Sequence, residues 1–208
     1  MKLLFFDLEC AYCYKHGGGV ICEFGYVLTD ENFEVLQKEV LPIAPERNFE
    51  PYVVQNMLAF SEEEYNNSPN FASRYDFIKT LLQARDTAVI GHTIDQDACY
   101  LNFSAKRYDL PPIDFTFYDL KYMHMHRRKT KKPASVANIL TDLQLEFQGH
   151  MHRSDDDAYC TMLALKELCR LSQKTAVAFL AEYKPYCGTN AEGKVQKAKL
   201  PPRDDVRK

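Results

Sequence analysis

The chain has 208 residues, 46% hydrophobic and 26% charged, and its 29 acidic against 26 basic side chains leave a net charge of −3. That is enough for one ordinary domain with a substantial core, and the composition excludes a disordered polymer; no apolar run approaches the roughly 20 residues needed to cross a bilayer. Seven scattered cysteines exclude a tidy disulfide framework and fit a reducing, cytoplasmic setting, and the N-terminal apolar run meets acids too soon to act as a secretory signal.

In chain order, Leu3-Leu-Phe-Phe-Asp-Leu-Glu9 reads as a buried strand that ends in two carboxylates. Asp7 and Glu9 are two positions apart and share one face. Like charges buried side by side call for a cation between them, and a divalent metal is the simplest. A glycine-containing loop follows, then β-rich runs at Val20–Thr29 and Phe33–Ile43 joined by Asp30, Glu31 and Asn32, so the sheet starts antiparallel. Residues 44–70 read as connection with short helix. Phe71–Ala84 repeats apolar residues at helical spacing. Thr87–Gly91 is a short strand, Asp95–Lys106 a helix and Ile113–Tyr118 another strand. Helices follow at Ser135–Leu145, Ser154–Leu171 and Thr175–Tyr183. Residues 1–185 thus form one domain, and 186–208, with Lys194, Lys197, Lys199, Arg203, Arg207 and Lys208, read as a basic, flexible tail. The pattern is α/β: a mixed sheet with helices on its faces.

Two more places put acids where a helix begins. Asp95 and Asp97 open one helix just after His92, where helix capping would also explain them. His152-Arg-Ser-Asp-Asp-Asp157-Ala opens another; Ser154 and Asp157 match a capping box, which leaves His152 unexplained. Taken together, Asp7-x-Glu9, the His92 to Asp97 segment and the His152 to Ala158 segment resemble the three motifs of the DnaQ-like 3′–5′ exonucleases of the DEDDh group, which includes RNase T, oligoribonuclease and the polymerase III proofreading subunit. The resemblance runs from residue 3 to about 170. It implies a ribonuclease H-like fold with a five-stranded mixed sheet, its first three strands antiparallel, and helices on both faces.

It further implies two divalent ions, Mg²⁺ or Mn²⁺, held by Asp7, Glu9, Asp97 and Asp157, with His152 as general base. Two such ions would bring the formal charge to −3 + 4 = +1, so a net acidic chain can still receive a polyanion. The implied reaction is hydrolysis at a free 3′ end of single-stranded RNA or DNA, releasing nucleoside 5′-monophosphates. Two departures bear on substrate preference. Cys10 and Ala11 follow Glu9 where Thr-Gly is usual, and Thr93 follows His92 where Asn is common. The positions of Cys10, Ala11 and His92 are nucleic-acid-contact candidates, and so is the basic run Arg127, Arg128, Lys129, Lys131 and Lys132.

Other readings concern the cysteines and the assembly. Cys10, Cys13, His16 and Cys22 can be written as a zinc site, although a second C-x2-C is missing. A redox role for Cys10 and Cys13 finds no thioredoxin-like flanking pattern. A homodimer is the commonest assembly for soluble chains. The rival function is a DnaQ-like nucleic-acid-binding adaptor or a polymerase-associated proofreading subunit, and fold alone does not separate these.

Overall fold

Four consecutive apolar residues, Leu3 to Phe6, are hidden only if both faces of their strand are covered. In this computed structural model, which describes residues 1–13, 19–56, 58 and 60–202 (backbone alone at 54–56), all four are at most 1% exposed. Their strand, β1 (Lys2–Cys13), is followed by β2 (Gly19–Asp30), β3 (Val35–Pro42), α1 (Pro51–Asn56), α2 (Glu62–Asn66), α3 (Phe71–Leu82), β4 (Thr87–Gly91) and α4 (Ile94–Arg107). Then come β5 (Phe115–Asp119), α5 (Leu120–Arg127), α6 (Val136–Asp142), α7 (Ser154–Leu171), α8 (Ala176–Tyr183), β6 (Gly188–Ala191) and β7 (Lys194–Gln196).

The sheet has seven strands in the order β3-β2-β1-β4-β5-β6-β7. The first three are antiparallel, as the short turn at Asp30 requires, while β4 and β5 run parallel to β1 after helical crossovers. The expected five strands become seven because β6 adds antiparallel to β5 and β7 to β6. These two strands come from the stretch read as a flexible tail. They are short and polar, but Asn190 anchors them, donating to Asn102 Oδ1 at 2.9 Å and to the Ile113 carbonyl at 2.8 Å. Arg203, Arg207 and Lys208 lie outside the described residues.

Alternate residues of β1 feed two cores. Leu4, Phe6 and Leu8 pack with Phe24, Tyr26, Phe71, Ile78 and Leu101 beneath α3 and α4. Leu3 and Phe5 pack with Val27, Ile90, Met162 and Leu165 beneath α7. Helices therefore cover both faces, as expected. Among the described residues no helix is long and apolar enough to cross a membrane. β4 and β5 end side by side, Gly91 opposite Asp119, while β1 runs on past its last β4 partner, Phe5; open α/β sheets place their ligand crevices at such carboxyl ends.

Candidate active site

At that end of the sheet three segments converge. Asp7 and Glu9 lie on the α7 side of β1. Opposite Asp7 in the ladder stands Gly25, and a Cβ there would lie 2.1 Å from the Asp155 nitrogen and 2.2 Å from the Ser154 carbonyl carbon. The bare glycine thus lets the first turn of α7 rest on the strand. That contact carries Asp157 to the strand acids: one carboxylate oxygen each from Asp7, Glu9 and Asp157 lie within 4.8 Å of one another.

Asp97 arrives from α4. Ile94, Asp97, Ala98, Leu101 and Ala105 are its buried stripe, so the acid occupies a position where helical periodicity calls for an apolar side chain. It lies close enough to raise the pKa of Asp7. Burial is the first cause of that rise, followed by the charges of Asp97, Asp157 and Glu9. Burial also pushes Glu9 to about 9, aided by Asp157, Glu23 and Asp97, and Asp157 to about 6, aided by Asp156, Glu23 and Asp155 against the lowering His152 N–H. Asp97 is raised by burial and then by Asp119 and Asp95. Desolvated carboxylates that raise one another in this way are a hard-oxygen donor set suited to a divalent cation.

The three aspartates of the third segment have separate tasks. Asp155 receives Arg153 Nε at 2.8 Å and Lys38 Nζ at 3.2 Å. Asp156 pairs with Lys38 and accepts the His150 N–H at 2.8 Å. Asp157 accepts the His152 N–H at 2.9 Å, and that hydrogen bond holds His152 in a left-handed conformation, φ 64°. The His152 side chain is 51% exposed, with Nδ1 3.9 Å from Glu9 Oε1.

The Glu23-Phe24-Gly25 strand is similar to a lesser landmark of the resembled family, but sequence reasoning gave no task to Glu23. Fully buried opposite Glu9, it accepts both the backbone N–H (3.0 Å) and the hydroxyl (2.7 Å) of Ser154, and the Tyr65 hydroxyl. It ties the start of α7 to β2. Its signal in the sequence was an acid inside an otherwise apolar strand run. Asp119 was missed as well: at the end of β5 it accepts the backbone N–H of Thr93 at 3.1 Å and of Lys121 at 2.9 Å, fixing the turn that launches α4.

Several expected contact residues are not gathered with the carboxylates. Cys10 and Ala11 are buried, Ala11 against Cys22, Phe49 and Tyr65, so they present almost no surface to a ligand. His92 Nε2 lies 2.8 Å from the Ala134 carbonyl, and burial lowers its pKa; its visible role is to pin the loop before α6. Arg127 and Arg128 lie at the far end of α5, where Arg128 Nε is 3.5 Å from Asp142, and Lys129 follows them. The cations beside the acids are instead Lys121 and Lys197, on Asp95 at 3.4 and 2.9 Å. His16 of the written zinc site lies outside the described residues.

A family model described as "Exonuclease" (RNase_T) matches residues 4–165. Comparison with curated proteins finds no match. Among solved structures, a 3′-exonuclease described in 3′-end-specific recognition of a histone mRNA stem-loop superposes with TM-score 0.75 at 12% identity, over 98% of this chain and 72% of that one. The nuclease domain of 3′hExo, a DEDDh family member bound to rAMP, gives TM-score 0.69 at 14% identity, over 95% and 97%. Exonuclease I, in a structure described as suggesting how processivity is achieved, gives 0.70 at 17% identity, over 89% of this chain and 43% of that one. At these identities the superpositions speak for the fold.

Proposed function

This chain belongs to the exonuclease family whose model spans residues 4–165, and from that premise we propose that it is a divalent-metal-dependent exonuclease that shortens single-stranded nucleic acid from its 3′ end. The observation that carries the reading is the meeting of Asp7, Glu9 and Asp157 within 4.8 Å, with buried Asp97 beside them.

Asp7, Glu9 and Asp157 are the residues that would hold one cation, and Asp97 with Asp7 would support a second; magnesium and manganese match this all-carboxylate set. Such ions supply, when bound, an acidified water and charge compensation at phosphorus. His152, exposed and 3.9 Å from Glu9, stands where it can take the proton of an attacking water. An imidazole does this near neutral pH. Half its surface faces solvent, so it can also release that proton. Lys121 and the exposed Lys197 are better placed than Arg127, Arg128 or Lys129 to receive backbone phosphates. Residues 1–185 carry the whole acidic set, and the β6–β7 pair extends the same sheet. One chain contains the full carboxylate set, so the reading needs no second copy.

Five intact acidic and imidazole side chains favour the enzyme over the adaptor. The test is a single strand labelled at either end, incubated with Mg²⁺, Mn²⁺ or EDTA. The expected result is release of labelled mononucleotide from the 3′ label and a descending ladder from the 5′ label, with EDTA abolishing both. Inactivity in both metals would give the adaptor reading the field.

A further inference from the structure

Beyond Glu9, β1 and β2 fall out of step. Glu9 stands opposite Glu23, Cys10 opposite Ile21, Tyr12 opposite Val20 and Cys13 opposite Gly19, with irregularities on both sides of Cys10. Three steps of β1, from Cys10 to Cys13, are thus matched to two steps of β2, from Ile21 to Gly19. A regular strand would hold residues three apart at about 10 Å and on opposite faces. A stretch matched to two partner steps spans roughly 6.6 Å, inside the approximately 4.4–6.8 Å between Cα atoms that a disulfide needs. The extra residue also returns both side chains to one face.

The side chains follow that geometry. Both thiols lie against Tyr100: its hydroxyl is 3.6 Å from Cys13 Sγ, and its ring and Cys10 Sγ both border the open side of Gly19. Gly19 makes the room, since a Cβ there would lie 2.7 Å from Cys10 Sγ. Cys13 is exposed and Cys10 buried, one sulfur within reach of solvent and one shielded behind it. Cys22 is otherwise engaged: its thiol donates to the Glu9 carbonyl at 3.4 Å and packs with Ala11, Phe49 and Tyr65.

We propose that Cys10 and Cys13 form a reversible dithiol–disulfide site that takes a peroxide as its oxidant, and that closing it disturbs the adjacent carboxylate Glu9. The second clause rests on the role given to Glu9 above; the first does not. In the reaction, Cys13 sulfur attacks one peroxide oxygen, the O–O bond breaks, and the departing hydroxide leaves as water. Cys10 sulfur then attacks the resulting sulfenic sulfur, the S–S bond forms and a second water departs. Two thiols lose two electrons and one peroxide becomes two waters. Cys13 suits the first step by its exposure, and the Cys10 thiol beside it lowers its pKa to about 6.

The test treats the full chain, reduced and metal-free, with hydrogen peroxide, alkylates what thiols remain and weighs the peptide that carries residues 10 and 13. The expected product is a peptide lighter by two hydrogens and closed to alkylation, reopened by dithiothreitol and never formed in Cys13→Ser. Alkylation of both cysteines after treatment, or oxidation of Cys13 to a sulfinic acid with Cys10 still free, overturns the site. After removal of peroxide and addition of Mg²⁺, the oxidised chain should cleave at least about 10-fold more slowly than the reduced one, in the range of residues that support a metal ligand. A closed disulfide with unchanged cleavage overturns the link to Glu9. Failure of the reduced chain to cleave at all is a failure of the nuclease reading, and the mass result still decides the thiol site.

Discussion

Asp7 is the residue on which both stability and activity turn, in opposite directions. Its charge is buried next to three others, so removing it relieves repulsion when no cation is present. Asp7→Asn should melt higher than the parent in EDTA at pH 8, by roughly 2–4 °C for each kcal/mol relieved, while cleavage falls more than about 100-fold because ligands matter at least as much as their supporting groups. Calorimetry and the end-labelled assay read the two effects separately. His152 differs: its side chain is half exposed and its backbone alone holds Asp157. His152→Ala should keep the melting temperature within a degree or two while slowing cleavage about 10²–10⁴-fold, the usual share of a general base. A folded, fully active His152→Ala chain would remove the imidazole from the mechanism. Asp7 and Glu9 stood out in the sequence as acids ending an apolar strand, and His152 as a histidine that capping did not need, whereas Asp97 and Asp157, which capping would also explain, were singled out by the resemblance alone. Glu23 was visible as an acid inside an apolar strand, but nothing in that strand announces that Ser154 and Tyr65 will come to it.

Among the elements, the contact between β2 and the start of α7 sets the site. Gly25→Ala places a methyl against main-chain atoms of Ser154 and Asp155, which cannot yield as a side-chain tip can. The cost should be about 1–3 kcal/mol, and because α7 must lift, cleavage should fall together with stability; thermal melting and the labelled assay on one preparation check both. An unchanged melting temperature would mean that the helix does not rest on the strand as described. The longer elements were readable from their periodicity, with ends within a few residues. The shorter ones were hidden for identifiable reasons. β6 and β7 are polar and gain their place from Asn190 and pairing with β5, not from apolar alternation. The eight residues of α5, Leu-Lys-Tyr-Met-His-Met-His-Arg, bury Leu120, Met123, His124 and Met125, yet in sequence they run into a cluster of cations and were assigned no element. The bulge that brings Cys10 to Cys13 left no trace at all, because pairing register depends on the partner strand.

At the scale of the whole molecule, the gathered acids link stability to pH and to divalent ions. Their pKa values are raised on folding, so the folded chain binds more protons than the unfolded one between the ordinary carboxylate range, about 4, and the raised values of about 6 for Asp157 and about 9 for Glu9. The cluster therefore costs least at acid pH, and stability is lost as pH climbs through those values. In EDTA the melting temperature should fall by several degrees between pH 5 and pH 8.5. Millimolar Mg²⁺ should restore it at pH 8.5 and do little at pH 5, where protons already occupy the site; a pH-independent response to Mg²⁺ would dissociate the cation from these carboxylates. The topology has a further effect on when the chain can act. Asp7 leads the first strand, Asp97 opens α4 and Asp157 waits for α7, the helix that closes over β1 and β2. A polypeptide still emerging from the ribosome holds at most three of the four carboxylates until that helix has been translated and docked, so the acidic set is completed only late in synthesis.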